Sequence, residues 1–194
     1  LLTGERVETV RIDTPKGIVL DLEPLDVEMT PDYVSCAIRK DSGDDPDDTN
    51  GVLVYARAER TDGSGIELDG GVGVGRVTKP GLACAVGGPA INPTPRRMIM
   101  QEVGKAMETA GYNGGMKLTI SIPAGVEIAK KTFNPRLGII GGLSVLGTSG
   151  IVEPMSEKAL IETMYVEIRA QKARGNKNLL VFFGNYGEDL PAMK

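Results

Sequence analysis

The chain has 194 residues, of which 41% are hydrophobic and 25% are charged, so it can form one domain with a substantial core, or one domain and part of another. Histidine is absent, which excludes a histidine-based catalytic triad and a histidine-ligated zinc site within this chain. Aromatic residues make up only 4%, with no tryptophan, which argues against a surface that stacks nucleic-acid bases.

The formal net charge is −4, and it is unevenly distributed. Residues 1–75 carry 17 acids and 7 bases, residues 76–136 carry 3 acids and 9 bases, and residues 137–194 carry 6 of each. A basic middle region in an acidic chain favours a pocket for a small polyanion, because the whole chain would repel a long phosphate backbone. We therefore expect no nucleic-acid partner.

The two cysteines, Cys36 and Cys84, lie far apart and fit no zinc-binding spacing, so we expect no protein-bound metal. Reduced, buried cysteines are typical of cytoplasmic proteins, and we expect that location. No apolar run approaches the ~20 residues that cross a bilayer, which predicts no membrane partner. The composition is compatible with an oligomer.

The first forty residues predict a β-hairpin and one further strand. The hairpin spans residues 6–22, around a Pro-Lys-Gly turn. Residues 33–40 predict the next strand, because Val34, Cys36 and Ile38 alternate with other residues and would share one face.

Residues 41–50 contain five aspartates, a glycine and a proline, a composition typical of a solvated loop. Such acid clusters can also bind Ca²⁺ or Mg²⁺, although this spacing is not that of an EF-hand. The functional alternative is that one or two of the carboxylates line a site, with Asp44 and Asp45 as the candidates.

Residues 52–60 predict a strand, and residues 61–75 predict a hairpin that ends in alternating glycines. The backbone N–H groups of this glycine run, beside Arg76 and Lys79, could cradle an anion. The run is not a Walker loop, because the lysine stands at the wrong spacing and Pro80 blocks a helix start.

A rigid, proline-rich connector leads into a predicted helix near residues 95–110. Thr94 is the expected N-cap, and Gly111 is expected to end the helix. Arg96 and Arg97 are unusual in the first turn, where a cation at the positive end of the helix dipole costs ~0.3–1 kcal/mol if exposed. A bound anion would reverse that sign, whereas the alternative is two solvated arginines.

Residues 116–122 predict a strand, and a second helix is predicted near residues 156–174, with Ser156 as its N-cap. Residues 178–183 form a continuous apolar run that is typical of a buried parallel strand. A glycine-containing turn and two acids follow, as at the opening of a nucleotide- or cofactor-binding βα unit.

These elements predict an α+β fold, a two-layer sandwich with a mixed sheet and the two main helices on one face. Residues 1–177 would form this domain. Residues 178–194 would be the first strand and turn of a second, Rossmann-like α/β domain whose remainder is absent.

The stretch at residues 130–153 opens with Lys130, Lys131 and Arg136 and continues as an apolar band interrupted by glycines. The pattern predicts buried strand segments whose backbone lies close to another backbone or to a ligand. The alternative is a glycine-rich core strand and loop without a ligand. The glycines concerned are Gly138, Gly141, Gly142, Gly147 and Gly150.

Several stretches, in order along nearly the whole chain, resemble the CbiD family of cobalt-precorrin-5B (C-1)-methyltransferases of anaerobic cobalamin biosynthesis. They are DSGDDPDDTNG, GVGVGRVTKPGL, VGGPAINPTPRRMI, AKKTFNPRLGIIGGLSVLGTSGIVEPMSEKAL and FFGNYGED. Two positions depart from the family pattern: Val72 stands where an acid is frequent, and Asn50 stands where histidine is frequent. The family usually begins with a GFTTG-like segment and continues well beyond Lys194, so both ends of this chain are expected to be truncated.

The resemblance implies methyl transfer from S-adenosylmethionine to C-1 of a cobalt corrinoid that carries many carboxylates. It implies that Gly141 and Gly142 approach the macrocycle, that Gly184, Asn185 and Gly187 contact S-adenosylmethionine, and that Asp44 or Asp45 stabilises developing positive charge. The cobalt belongs to the substrate. The cations implied as carboxylate partners are Arg76, Lys79, Arg96, Arg97, Lys130, Lys131 and Arg136.

Two other hypotheses stay open at this point. One is a non-catalytic anion- or RNA-binding α+β module that uses the basic middle region, with affinity that falls steeply with salt. The other is a kinase-like enzyme that uses residues 73–79 to hold phosphate, stabilised by Mg-nucleotide.

Overall fold

The structure is a computed structural model that describes residues 1–45, 47–152 and 157–179. Its largest sheet is mixed and has five strands, and the other described strands form separate two-stranded pairs. In chain order the strands are β1 (Val10–Asp13), β2 (Val19–Leu22), β3 (Leu25–Met29), β4 (Tyr33–Arg39), β5 (Leu53–Thr61), β6 (Gly65–Gly70), β7 (Gly73–Val74), β8 (Arg76–Val77), β9 (Gly115–Ser121), β10 (Ile139–Ile140) and β11 (Gly142–Leu143).

The main sheet has the strand order β3-β4-β5-β9-β6, with β6 and β9 parallel and the other neighbours antiparallel. The predicted strands at residues 33–40, 52–60 and 116–122 are confirmed as β4, β5 and β9, and the predicted hairpin over residues 6–22 is confirmed as β1 and β2. The mixed α+β class is confirmed as well.

The hairpin predicted over residues 61–75 is wrong, because the two strands in this range, β6 and β7, pair with β9 and β11 and not with each other, and β9 separates β6 from β5. The reason is visible at Gly115, the first residue of β9, which pairs with both Thr61 and Gly65. A Cβ at Gly115 would lie 3.0 Å from the carbonyl of Gly63, so only a glycine lets β9 start beneath the short turn between β5 and β6. The pairing that replaces the hairpin joins segments about fifty residues apart.

One face of the sheet is apolar and packs against the core, as the alternation at Val34, Cys36 and Ile38 predicts. Cys36 is paired with Ala56, which pairs in turn with the buried Ile120. The core cluster continues beyond the sheet into the short strands and turns, with Val74, Ile91, Ile120, Ile122, Ala129 and Leu143 as its buried members.

Helix α1 (Pro93–Thr109) packs beside β6 and contributes Ile99 to the core. It begins earlier than predicted: Asn92, not Thr94, is the N-cap, because Pro93 already has the backbone angle of a first helical residue. The N-cap makes no side-chain hydrogen bond. Gly111 follows the helix with φ +62°, as predicted for its stop.

Residues 125–143 pass through short turns rather than one apolar strand. Helix α2 (Gly125–Ile128), a 3₁₀ turn (Ala129–Lys131) and helix α3 (Asn134–Leu137) precede the two short strands β10 and β11. The strand prediction is therefore wrong for residues 130–137, because Pro135 favours a helical turn. It is correct for β10 and β11, which pair with β8 and β7.

Helix α4 (Glu157–Ala173) confirms the predicted second helix, while Ser156 lies outside the described residues. It meets the loop after β8 at the fully buried Ala170, whose Cα would be 2.8 Å from a Cβ on Gly81. The side chains of Met164 and Tyr165 on this helix are 49% and 52% exposed. Within the described ranges, no helix is both long enough and apolar enough to span a membrane.

The predicted strand at residues 178–183 falls mostly outside the described residues, as does most of the predicted second domain at residues 178–194. The division into residues 1–177 and 178–194 therefore stays a prediction.

Candidate functional site

A cleft of about 530 Å³ opens between the first turn of α1 and the loop that follows β8. Arg96, which is half-buried, and Arg97, which is exposed, line it from the helix. Of the cations predicted from the sequence, these two are the pair that the structure brings together in the cleft. Its other lining residues are Ala83, Cys84, Ala85, Gly88, Pro89, Ile91 and Pro93.

The loop wall of the cleft is held by hydrogen bonds at its base and at its middle. The Val77 N–H donates to the Gly88 carbonyl at 3.0 Å, and the Gly87 N–H donates to the Val77 carbonyl at 2.7 Å, which closes residues 78–87 into a loop. The Cys84 thiol lies 3.3 Å from the Ile91 carbonyl, to which it donates. Sequence reasoning missed Cys84 as a cleft residue, since its place there depends on this fold-back.

The cleft is electrostatically positive. Helix α1 has no acid in its first turn, and neither Arg96 nor Arg97 forms an ion pair within the described part of the chain. Burial raises the pKa of the Cys84 thiol, and the positive charge of Arg96 opposes that rise. An anion in the cleft would meet two guanidinium groups, each able to hold a carboxylate with two hydrogen bonds.

Two other predicted cations are already bound by acids of the chain. The Arg76 Nη1 lies 2.7 Å from the Asp69 Oδ1, and this guanidinium lowers the pKa of the Asp69 carboxyl. The Lys130 Nζ lies 2.6 Å from the Glu127 Oε1. A substrate carboxylate would have to replace these partners, and a substrate role for Arg76 and Lys130 stays a prediction.

The remaining predicted cations, Lys79, Lys131 and Arg136, are exposed and are not among the residues that line the cleft. The side chain of Lys79 lies along Gly138, and the Arg136 guanidinium carbon lies 5.5 Å from the centre of the Phe133 ring. Of the seven cations implied as carboxylate partners, the cleft therefore contains Arg96 and Arg97, and these three lie elsewhere on the surface.

The two glycines predicted to approach the macrocycle differ in environment. Gly142 is buried, and the space that a Cβ would fill is occupied by the carbonyl of Gly73. Its missing side chain therefore allows close packing of two backbones. Gly141 is exposed, has φ +84° and has no atom within 4 Å of a built Cβ, so its backbone is open to a ligand.

The glycine run at residues 70–75 does not form the predicted anion cradle, because the N–H groups of Gly70, Gly71, Val74 and Gly75 already have acceptors within the chain. The Gly71 N–H donates to the Ile120 carbonyl at 2.7 Å, and the Gly75 N–H donates to the Leu143 carbonyl at 2.8 Å. The Gly70 N–H is bound by the Asp69 carboxylate at 2.8 Å. This removes the support for a phosphate-binding, kinase-like enzyme.

The acidic loop after β4 is organised by a lysine. The Lys40 Nζ lies 2.6 Å from both the Asp47 Oδ2 and the hydroxyl of the buried Ser42. Asp45 is half-buried and Asp44 is exposed, and neither is among the residues that line the cleft. Because β4, β6 and β9 run in the same direction, this loop lies at the end of the sheet where the glycine run also begins.

The predicted cofactor residues Gly184, Asn185 and Gly187 lie outside the described residues. Within the described ranges, no three His, Cys, Asp or Glu side chains gather in a way that could hold a metal ion.

Comparison with known proteins connects this arrangement to one family. The sequence model of the CbiD family matches residues 1–154. The chain is 54% identical over 194 residues to the cobalt-precorrin-5B C(1)-methyltransferase of Thermoanaerobacter sp. (strain X514), covering 100% of this chain and 52% of that protein. It is 52% identical over 189 residues to the protein of the same name in Ruminiclostridium cellulolyticum, covering 97% of this chain and 49% of that one.

The fold has a solved counterpart, the crystal structure of the cobalamin biosynthesis protein (cbiD) from Archaeoglobus fulgidus. The two chains are 35% identical and superpose with a TM-score of 0.58, over 84% of this chain and 51% of that chain. The chain thus spans about half the length of the curated relatives that it matches.

Proposed function

The chain belongs to the CbiD family, and from that premise we propose that it binds the corrinoid in an enzyme that methylates C-1 of cobalt-precorrin-5B. The methyl donor is S-adenosylmethionine. Because the chain spans about half of its relatives' length, the proposal assigns residues 1–177 to substrate binding and leaves the complete reaction to the longer protein.

The observation that carries this proposal is the pair Arg96 and Arg97 in one cleft. A cobalt-precorrin is a macrocycle fringed by acetate and propionate carboxylates, and guanidinium groups match carboxylates with two parallel hydrogen bonds. The cleft volume of about 530 Å³ lies within the range of small-molecule sites and suits one edge of such a ring. The negative charge of the substrate would also offset the unfavourable position of two cations at the start of a helix.

The reaction makes a bond between a ring carbon and the donor methyl group while the carbon–sulfur bond of the sulfonium breaks. The leaving group is a neutral thioether, so the protein's main contribution is to align the methyl donor with C-1 and to exclude water. Gly184, Asn185 and Gly187 would hold the donor. Asp44 or Asp45 would stabilise the sulfonium by its negative charge.

Titration calorimetry with cobyrinic acid, a cobalt corrinoid that carries free carboxylates, tests the proposal. The double change Arg96→Gln with Arg97→Gln should weaken binding about tenfold or more, because hydrogen bonds to charged groups contribute ~1.5–3 kcal/mol each. Lys105→Gln is the control, since this exposed lysine of the same helix is bound to Glu102 and is not among the residues that line the cleft. Equal affinities of wild type and double variant would refute the role of the cleft.

The reaction itself is tested in the longer relative from Thermoanaerobacter. Transfer of a labelled methyl group from S-adenosylmethionine to cobalt-precorrin-5B should fall when the residues at the positions that match Arg96 and Arg97 are changed to alanine. Methylation of cobalt-precorrin-5B that proceeds equally well without S-adenosylmethionine would contradict its role as the methyl donor.

A further inference from the structure

Three cations on three separate elements contact or belong to residues 136–138 at the end of α3, outside the Arg96–Arg97 cleft. They are Lys79 on the loop after β8, Arg136 on α3, and Arg174 just beyond the end of α4. All three side chains are exposed. Arg174 lies outside the basic middle region of the sequence, so no charge pattern connected it with the other two.

Lys79 is held beside α3 by contacts to Gly138. Both the N–H and the hydroxyl of Thr78 donate to the Gly138 carbonyl, at 2.7 and 2.8 Å. A Cβ on Gly138 would lie 2.6 Å from the Cγ of Lys79, so the lysine stem runs along the space that the glycine leaves free. Gly138 also ends α3 with φ +84°, which turns the chain directly after Arg136 and Leu137.

Arg174 reaches the same place from α4. The Arg174 Nη2 donates to the main-chain carbonyl of Arg136 at 3.2 Å. Helix α4 can approach because Gly81 has no side chain: a Cβ there would lie 3.0 Å from the Cβ of Ala173. The guanidinium of Arg174 is thus fixed against α3 by one of its N–H groups, and others remain available to a ligand.

Within the described part of the chain, no carboxylate forms an ion pair with Lys79, Arg136 or Arg174. Arg76, Lys105 and Lys130 each form an ion pair with a neighbouring acid, whereas Lys79, Arg136 and Arg174 form none. Three exposed cations on neighbouring elements attract an anion, and an anion bound there would reduce their mutual repulsion.

We propose that Arg174, together with Lys79 and Arg136, forms a second carboxylate-binding subsite for the same corrinoid. The proposal rests on the proposed function. Residues 78–87 connect the two subsites, since Lys79 stands at the start of this loop while Ala83, Cys84 and Ala85 line the Arg96–Arg97 cleft. Two separate subsites that bind carboxylates at the edge of the ring would prevent the ring from rotating, whereas a single subsite would leave it free to rotate. The two subsites together would therefore determine which carbon faces the methyl donor.

The test compares cobyrinic acid with its methyl ester, in which the carboxylates are blocked. Arg174→Gln should lower the affinity for the acid about two- to fivefold, as expected for an exposed charge pair, and leave the affinity for the ester unchanged. The effect on the acid should shrink at high salt. Arg174→Lys, which keeps the charge, should retain most of the affinity.

Arg169→Gln is the matched control, because Arg169 is an exposed arginine of α4, the helix that precedes Arg174, and its guanidinium carbon lies 6.0 Å from the centre of the Tyr165 ring. It should bind the acid as wild type does. Equal weakening of acid and ester in Arg174→Gln would mean that Arg174 only holds α4 against α3, and would overturn the proposal, as would an unchanged affinity. Failure of wild type to bind cobyrinic acid would instead overturn the proposed function, and this inference with it.

Discussion

Gly142 faces Gly73 across the parallel pair β7–β11 so closely that Gly142 has no room for a side chain. A Cβ on Gly142 would collide with the Gly73 carbonyl, and a Cβ on Gly75 would lie 2.9 Å from the Gly142 carbonyl. Strand β7 lies within the glycine run at residues 70–75, and β11 belongs to the glycine-interrupted stretch at residues 130–153. This contact therefore joins two distant glycine motifs into one piece of the core.

Gly142→Ala should destabilise the protein by about 1–3 kcal/mol, the usual cost of forcing extra atoms into a packed interior. The added methyl group would meet backbone atoms of Gly73 and Val74, which cannot move aside as the end of a side chain can. Urea unfolding followed by circular dichroism measures the change. An unchanged midpoint would show that the two strands have space between them.

The matched control for that variant is Gly104→Ala within α1, where no atom lies within 4 Å of a built Cβ and φ is not positive. This change should stabilise the protein by about 0.5–1 kcal/mol, because alanine loses less backbone entropy than glycine on forming a helix. The two glycine-to-alanine changes are thus expected to have opposite signs. A loss of stability in Gly104→Ala would contradict the open environment of that position.

Local periodicity was sufficient to predict β4, β5, β9 and the two long helices, because each depends on the spacing of its own apolar residues. The position of β9 between β5 and β6 could not be predicted in the same way. It depends on Gly115 passing beneath the turn at residues 62–64, a contact between segments far apart in sequence. A short turn between two strands normally predicts a hairpin, and here tertiary packing overrides that rule.

The candidate site was predictable in part for a similar reason. Arg96 and Arg97 stood out because two cations begin a helix, which is a local anomaly that the structure places in a cleft. A count of charges could not tell that Arg76 is bound by Asp69, or that Arg174 lies beside Arg136. Those relationships depend on which elements pack together.

Acid should weaken the fold partly through Asp69, whose pKa is lowered chiefly by its hydrogen bond from Arg76. A carboxyl group with a lowered pKa in the folded state stabilises the protein above its unfolded pKa, near 4, and this contribution is lost as the pH falls through the folded value. Because both side chains are more than a third exposed, the contribution should be at most about 1 kcal/mol. Asp69→Asn should therefore reduce stability at pH 7 and change it little at pH 2.

Unfolding curves of wild type and Asp69→Asn between pH 7 and pH 2 should converge as the pH falls. Asp62→Asn, in the exposed turn after β5, serves as the control and should follow wild type throughout. Parallel curves for wild type and Asp69→Asn would show that the ion pair with Arg76 contributes no pH-dependent stability.

Cys84 offers a chemical probe of the cleft. Burial raises the pKa of its thiol, so alkylation by iodoacetamide should be slow at pH 7 and accelerate as the pH rises, because the thiolate is the reactive form. Arg96→Gln removes the positive charge that opposes this rise, and should slow alkylation further at a given pH. Cobyrinic acid bound in the cleft should protect Cys84.

These rates are measured by mass spectrometry in a Cys36→Ser background, which leaves one thiol to follow. The reverse variant, Cys84→Ser, reports on Cys36 of strand β4, whose thiol pKa is also raised by burial and which is not among the residues that line the cleft. Protection of both thiols by the corrinoid to the same extent would mean general tightening of the fold and would contradict a specific occupant of the cleft.

Gly81 determines how closely α4 packs on the loop after β8, and Gly81→Ala should separate them. Gly81 has φ +104°, and a Cβ there would lie 2.8 Å from the Cα of Ala170, so the change adds backbone strain of about 1–2 kcal/mol and an overpacking cost of ~1–3 kcal/mol. Gly87→Ala, on the same loop with φ +84° and no atom within 4 Å of a built Cβ, should show the strain alone. Hydrogen exchange should consequently lose protection in α4 for Gly81→Ala and keep it for Gly87→Ala. Equal exchange in the two variants would mean that the helix does not depend on this contact, and the position assigned to Arg174 beside Arg136 would lose its structural basis.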